Sequence, residues 1–428
     1  MKFKVLKKQG FVAKNLIFII LISFLSVAGG NNKGFLYATV VTIVLAILSS
    51  SDEHRFCWAL FLVPNIRLFD DIGTTSVVNV LFILPLIFYF FKGKSNLKSF
   101  PIIGAILLFM MEILHTFIND DSVFKLIGWV LAFVCCVYAT LDERINIDKD
   151  DAAYALVLGV FFSGIVYLFN NPNMAIGLLA NVLKGHRFTG YASDPNAFST
   201  YICLAFSALL IKNKIKISDY FMMLFLILFG LLTTSKMCII LIVINVSFFV
   251  IVSLNNKGKF FRGFVIIIVS CFVIYQLRGF LVQFVEEFFE RLGGNNVTLD
   301  SLTSNRFTIV TDYLSVLGRD IITLFFGRGF SYYEVLETSR MQQAHNTYLD
   351  LIISWGIAGI IVFYYIINTW YKEFKNKEDV CKFSRANMLP MLNLLLSFLS
   401  LSLFDAGMFY FVIAYCFIQL KNDKTNKK

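Results

Sequence analysis

The sequence predicts an all-α polytopic integral membrane protein, a single transmembrane domain over residues 1–428, and three observations predict it. Hydrophobic residues make up 58% of the chain and charged residues only 15%, with 48 phenylalanines, well outside the soluble globular range. Mean hydropathy is +0.73. Apolar runs that approach the roughly 30 Å depth of a bilayer recur along the whole length, leaving no room for a soluble core.

The predicted spans are 16–29, 35–50, 56–70, 75–91, 101–118, 122–140, 152–169, 196–211, 218–233, 237–254, 262–278, 345–370, 387–403 and 407–420, which makes fourteen. Pro64 and Arg67 interrupt the third. If it and its neighbour form a broken re-entrant pair, twelve remain. The first run follows Lys2, Lys4, Lys7, Lys8 and Lys14, in the manner of a secretory leader. No small-x-small cleavage site is followed by a hydrophilic start, and Ala28-Gly29-Gly30 leads into another apolar run, so an uncleaved first helix is expected.

Placing the N-terminus in the cytoplasm puts Lys92/Lys94/Lys98, Lys212/Lys214/Lys216, Lys257/Lys259/Arg262, Lys372/Lys375/Lys377/Lys382/Arg385 and the basic tail on one side. The alternate connections carry Asp70-Asp71, Asn119-Asp120-Asp121 and Asp405, the asymmetry the positive-inside rule requires. A multi-pass membrane protein with both termini on the cytoplasmic side follows. The same topology accounts for the net charge of +10, so nucleic acid is not an expected partner. Eight cysteines lie mostly inside apolar runs without metal-ligand spacing and read as small buried hydrophobes.

Two longer connections then face the outside, 170–195 and 279–344. In LVQFVEEFFERL, Leu281, Phe284, Val285, Phe288, Phe289 and Leu292 follow helical spacing, which predicts an amphipathic helix along the membrane surface. After the break at Gly293-Gly294-Asn295-Asn296, Ser304 is placed to cap a second helix burying Phe307, Val310, Leu314 and Leu317. The loop therefore reads as a helical periplasmic cap over a membrane cavity.

Its cations are Arg291, Arg306, Arg319, Arg328 and Arg340, with no lysine between Gly279 and Ala344. A guanidinium fork grips phosphate bidentately and stays charged, whereas lysine is a hydrated point charge. Arg306, near the start of the second predicted helix, is the leading anion ligand. Gly327-Arg328-Gly329 offers Arg328 as a further contact. Arg187, in GHRFTGYASDPNAF, stands on the outer side against the positive-inside bias, where an anion would supply the reason for it. Asp194 precedes Pro195 and suits an N-cap. For Asp194 and Asn196, capping or turn-making and sugar contact both stand as readings. Lys236, in LLTTSKMCII, must either snorkel to water or meet an anion.

His345 and Asn346 begin a predicted helix and share a face with Tyr348, Leu349 and Ile352. A histidine of near-neutral pKa can take a proton from a hydroxyl, and the alternative is an interfacial histidine that only bonds the loop. Glu112 and His115 lie one turn apart and read as a structural pair. No Walker A loop, H-E-x-x-H or Gly-x-Ser-x-Gly elbow is present, and the four histidines, 54, 115, 186 and 345, are scattered, so no metal and no cofactor is expected.

RFTGYASDPNAF at 187–198, TTSKMCII at 233–240, NRFTIVTDYL at 305–314, FFGRGF at 325–330 and AHNTYLDLIISWGIAG at 344–359 together resemble the bacterial O-antigen polymerase (Wzy) and O-antigen ligase superfamily of membrane glycosyltransferases. The resemblance covers the C-terminal half; the N-terminal half is similar only in hydropathy. It implies a C-type glycosyltransferase-like fold and metal-independent transfer from undecaprenyl-diphosphate-linked saccharides at the periplasmic face. Arg187 and Arg306 would bind the donor diphosphate, and His345 would orient or deprotonate the acceptor hydroxyl. Lys236, Asn346, Asp194, Asn196, Tyr348 and Arg328 would serve as substrate contacts. The chain has Ser235-Lys236 where the family often has Ser-Arg, and Asp194 where it often has Asn. A repeat-unit polymerase is the expected activity, with a polysaccharide co-polymerase as an expected partner. The rivals are a ligase onto lipid A-core and a flippase, whose charges would line a path within the spans.

Overall fold

The computed structural model describes residues 10–30, 32–72, 80–81, 84–85, 102–119, 123–176, 187–192, 194–212, 214–254, 282, 286, 306–336, 343–378, 385–402 and 408–421. Among them every regular element is helical. In order these are α1 (Phe11–Gly29), α2 (Lys33–Ser49), α3 (Asp52–Leu62), α4 (Ile102–Ile118), α5 (Val123–Leu141), α6 (Lys149–Asn170), α7 (Pro172–Ile176), α8 (Pro195–Leu210), α9 (Ile217–Leu232), α10 (Lys236–Leu254), α11 (Arg306–Arg319), α12 (Ile321–Phe326), α13 (Tyr332–Val335), α14 (Thr347–Lys377), α15 (Leu389–Ser397) and α16 (Met408–Gln419). Of these, α1, α6 and α14 are long and apolar enough to cross a membrane, and eight shorter helices are also apolar. The predicted span 262–278 lies outside the described residues, as do most of 75–91, Ser304, Arg291 and Arg340. Of the predicted surface helix only Val282 and Glu286 are described.

The third predicted span does not run through. The helix α3 stops at Leu62, where Pro64 starts a 3-10 turn over Val63–Asn65, and a second such turn follows at Asp70–Ile72. Asn65 closes the break: its amide donates to the Phe61 carbonyl at 2.8 Å and to the Gly159 carbonyl of α6 at 3.1 Å. A buried helix break of this kind is tolerable only because protein groups take up the freed backbone.

Two helices form the centre. All side chains of α16 and those of α8 from Asn196 onward are buried, so neither needs a polar face. The helix α8 packs against α6, α9, α10 and α15, and α16 against α5, α6 and α15. The outer helices show the inverse, with Leu16, Ile17, Ile20 and Phe24 of α1 exposed along one side, as lipid contact requires.

At α11 the predicted face needs correction. The helix begins at Arg306 and buries Ile309, Tyr313 and Leu317, while Phe307 and Leu314 are exposed. Leu317 is buried as predicted and Val310 packs against the same cluster, but Ile309 and Tyr313 replace Phe307 and Leu314, about a third of a turn away, because the face is chosen by docking against Tyr332, Leu336, Leu349 and Ile353 rather than by hydrophobicity alone. This small apolar cluster is separate from the main core and joins the cap to α14.

A closer junction lies just below. Gly356 breaks α14, with φ 61° and ψ −176°, and the loop between α12 and α13 lies against the break. There the amides of Arg328 and Gly329 donate to the carbonyls of Ile353 and Ser354, each at 2.9 Å, and Asn119 Nδ2 donates to the Arg328 carbonyl at 2.6 Å. A Cβ on Gly327 would lie 2.1 Å from the Ser354 oxygen, and one on Gly356 would lie 2.3 Å from the Phe325 carbonyl carbon. Both glycines also have positive φ. Left-handed backbone alone costs a residue with a side chain about 1–2 kcal/mol. Gly327→Ala and Gly356→Ala are therefore expected to cost more than that, measured as a lower unfolding midpoint of the protein in lipid nanodiscs. Gly318→Ala, in α11 with nothing within 4 Å of its Cβ, should be neutral or gain up to about 1 kcal/mol.

Candidate functional site

Two segments, the start of α8 and the turn between α9 and α10, hold the Arg187 guanidinium. Its Nε donates to the Thr233 carbonyl and its Nη2 to Asn196 Oδ1, both at 3.1 Å. The Ser235 hydroxyl donates to the same Asn196 oxygen at 3.0 Å. Phe188 N to Leu232 O, 3.2 Å, ties the loop 187–192 to the turn between α9 and α10. Because Asn196 and Ser235 are buried, solvent does not compete for these bonds.

Asp194 is the N-cap of α8. Its carboxylate accepts from Asn196 N at 2.7 Å, and Pro195 occupies the first helical position as expected. The two readings of this pair thus separate: Asp194 terminates the helix, and Asn196 brackets the arginine.

Arg306 is the first residue of α11. Burial lowers its pKa from the ordinary guanidinium value; the Asp194 carboxylate opposes that shift and Arg187 adds to it. Two guanidinium groups therefore share one electrostatic neighbourhood with one carboxylate. Among the described residues the Arg306 guanidinium has no hydrogen-bond partner. The same end of the bundle gathers the N-termini of α8, α10 and α14, where backbone N–H groups and helix dipoles favour negative charge.

His345 completes the group. Its helix starts later than the sequence suggests: Asn346 is the N-cap of α14, accepting from Tyr348 N at 3.1 Å and Leu349 N at 3.2 Å. His345 stands before the cap with φ 51°, so it does not share a helical face with Tyr348. Histidine tolerates this region better than most residues, and the neighbours on both sides hold it there. Ala344 N donates to the Tyr332 hydroxyl at 2.8 Å, and that hydroxyl donates to the buried Asp350 carboxylate. On the other side Thr347 N donates to the Phe398 carbonyl at 2.8 Å. Burial lowers the His345 pKa, Arg306 lowers it further and Asp194 opposes both. The imidazole is therefore neutral at pH 7, the form able to accept a proton.

The remaining predicted contacts are placed as follows. Lys236 opens α10 directly after Ser235. Arg328 donates from Nε to Thr323 Oγ1 at 2.7 Å and pairs with Asp320, whose carboxyl is held well below its usual range by the Thr323 hydroxyl and then by Arg328. The Tyr348 hydroxyl donates to the Leu395 carbonyl at 2.8 Å, and its ring meets Phe398 edge-on. Arg328 and Tyr348 thus make their contacts within the cap and between helices. Glu112 accepts from the Trp355 indole. The sequence reading missed Thr233, Ser235 and the Tyr332–Asp350 bridge. No local spacing signals them, because each acts across segments. No group of three or more His, Cys, Asp or Glu side chains lies together among the described residues.

The site can bind a doubly charged oxyanion beside a neutral base. Residues 221–364 match the model of the family described as O-antigen ligase. That stretch takes in Lys236, Arg306 and His345 but not Arg187, Asp194 or Asn196. The likeness to that family covers about a third of the chain. No curated protein matches the chain.

The electrostatic balance at His345 can be tested without reference to any reaction. NMR titration of labelled histidines in nanodiscs, with His345→Gln for assignment, is expected to show His345 titrating below its ordinary 6.5. Asp194→Asn preserves the cap, since Asn caps as well as Asp, and removes the carboxylate that raises the pKa, so the midpoint should move lower still. A wild-type midpoint above 6.5, or an upward move in Asp194→Asn, would contradict the arrangement.

Proposed function

We propose that this chain, which carries a segment of the O-antigen ligase family, is a repeat-unit polymerase. On this reading it moves a growing glycan from undecaprenyl diphosphate to a lipid-linked repeat unit at the periplasmic face of the cytoplasmic membrane. The observation that carries the reading is the convergence of Arg187, Arg306 and His345 around Asp194 at one end of the helical bundle. In the reaction the bond between the anomeric carbon and the diphosphate oxygen breaks, and its electron pair leaves with the diphosphate. The acceptor hydroxyl oxygen forms the new bond to that carbon, and its proton passes to the neutral His345 imidazole. Arg187 and Arg306 stabilise the charge that grows on the leaving oxygens, a role worth about 3–4 kcal/mol for one preorganised donor. Arg187 is pre-aimed by Asn196 and Thr233, so it costs no reorganisation as charge develops. The basic loops on the opposite end favour cytoplasmic termini.

The family description itself favours a second reading, transfer of the same donor onto lipid A-core. Deletion in the host separates the two. Loss of a polymerase leaves lipopolysaccharide with a single repeat unit, and loss of a ligase leaves bare core with accumulated lipid-linked polymer. His345→Ala and Arg306→Ala are each expected to abolish the long-chain ladder at unchanged protein level, His345→Ala through a loss of about 10²- to 10⁴-fold in rate. Wild-type ladders from both variants would sink the site. Asn196→Ala should lower the rate by about tenfold through mis-aimed Arg187, as expected for one hydrogen bond to a charged group, with Asn196→Gln failing to restore it because the longer amide cannot meet both Arg187 and Ser235.

A further inference from the structure

The loop that carries Arg187 has a second face. Its residues Thr189–Ala192 wall a cavity of about 390 Å³, which also reaches Arg67, Asp71, Tyr167 and Asn171. That volume is within the range of roughly 300–1,000 Å³ typical of small-molecule sites. None of the reaction chemistry described above uses it.

The walls are held from several directions. Tyr191 donates its amide to Ser163 Oγ at 2.7 Å and accepts from the Arg67 amide at 3.0 Å. Its phenol oxygen accepts from Asn170 Nδ2 at 2.6 Å, and Asn170 also donates to the Ser26 carbonyl of α1 at 3.2 Å. Gly190 has φ +54°, and a Cβ there would lie 2.7 Å from Ser163 Oγ, so the loop has no slack at its bend. Tyr167 meets the Tyr191 ring edge-on at 5.6 Å. Burial raises the Tyr191 pKa, against the Asn170 bond and with the Asp71 charge, so the phenol keeps its proton. Since Asn170 already fills an acceptor position on that oxygen, the proton is free to be donated into the cavity.

The chemistry of the lining selects a ligand class. One exposed cation, Arg67, and one exposed anion, Asp71, balance each other, so the cavity is not an ion site. A lipid tail would strand these charges, the phenol and the Asn171 and Thr189 side chains without partners. A polyhydroxylated, uncharged ring satisfies both donors and acceptors and offers its C–H face to the two tyrosine rings. Only Phe188, and at most about 7 Å of extended backbone, separates Arg187 from Thr189.

We propose that this cavity is a saccharide subsite, holding sugar residues that extend from the group bound at Arg187 and Arg306. The proposal rests on the glycosyl-transfer reading above and adds to it where the sugars lie. The sugars could belong to the donor glycan or to the acceptor unit.

The test uses the full-length protein in nanodiscs and, as probe, the lipid-free oligosaccharide released by mild acid from the host's own surface polymer. Saturation-transfer NMR is expected to detect binding, and Arg67→Gln, Asp71→Asn and Tyr191→Phe should each weaken it by about tenfold. Arg306→Ala should leave it unchanged. Unfolding midpoints equal to wild type exclude misfolding in the cavity variants. In turnover assays with lipid-linked units, a raised KM for the acceptor at constant kcat assigns the sugars to the acceptor. Normal first coupling followed by premature chain termination assigns them to the donor glycan. No detectable binding to the wild type, or equal binding by all three cavity variants, overturns the subsite. If Arg306→Ala and His345→Ala still abolish the ladder in that event, the glycosyl-transfer reading survives; if they do not, that reading fails whatever the cavity binds.

Discussion

Two stretches of backbone, one at Gly327 and one at Gly356, cross so closely that neither position has room for a Cβ. The rest of the site depends on that crossing. A helix that ran unbroken through residue 356 would keep the Ile353 and Ser354 carbonyls for itself; broken there, it offers them to the amides of Arg328 and Gly329. The bond between cap and membrane helix is therefore made of main chain, which has few rotamers to lose and little freedom to drift. Around it, Ile309, Tyr313 and Leu317 of α11 pack on Leu349 and Ile353 of α14. Arg306, at the head of α11, inherits its position from this packing.

The charges at the site explain one another. Arg187 and Arg306 repel, Asp194 attracts both, and His345 feels the balance. A single carboxylate beside two guanidinium groups leaves the neighbourhood positive, and the nearby helix N-termini add to it. Thr233 and Asn196 each take one donor of Arg187, and Ser235 holds Asn196 in place, so the guanidinium is aimed by neutral groups that leave its charge to act on an anion on the proposed reading.

Much of this could be read from sequence, and the failures have identifiable causes. Hydropathy located the apolar helices to within a few residues at most ends, and Pro195 after Asp194 announced the start of α8, because capping and proline act locally. Arg187, Arg306 and His345 stand out in the sequence because their residue types are out of place in a hydrophobic chain. The buried face of α11 was misjudged, since Phe307 and Ile309 are similarly apolar and only the partner surface distinguishes them. His345 was assigned to a helix because sequence spacing cannot reveal a left-handed residue before a cap. Asn196 was ambiguous for a related reason: its decisive partners lie nine residues upstream, in Arg187, and across a helix hairpin, in Ser235.

The order in which the chain is synthesised gives the His345 support a temporal meaning. Thr347, two residues beyond the histidine, bonds to the carbonyls of Phe398 and Leu401, near the C-terminal end. Arg187 and its bracket are complete once α10 has been made, but the acceptor side has no fixed geometry until the residues around 400 have left the ribosome. A nascent or truncated chain would hold the anion-binding half in the membrane without the base. On the proposed reading, it is synthesis past residue 401 that turns an anion-holding segment into a complete site.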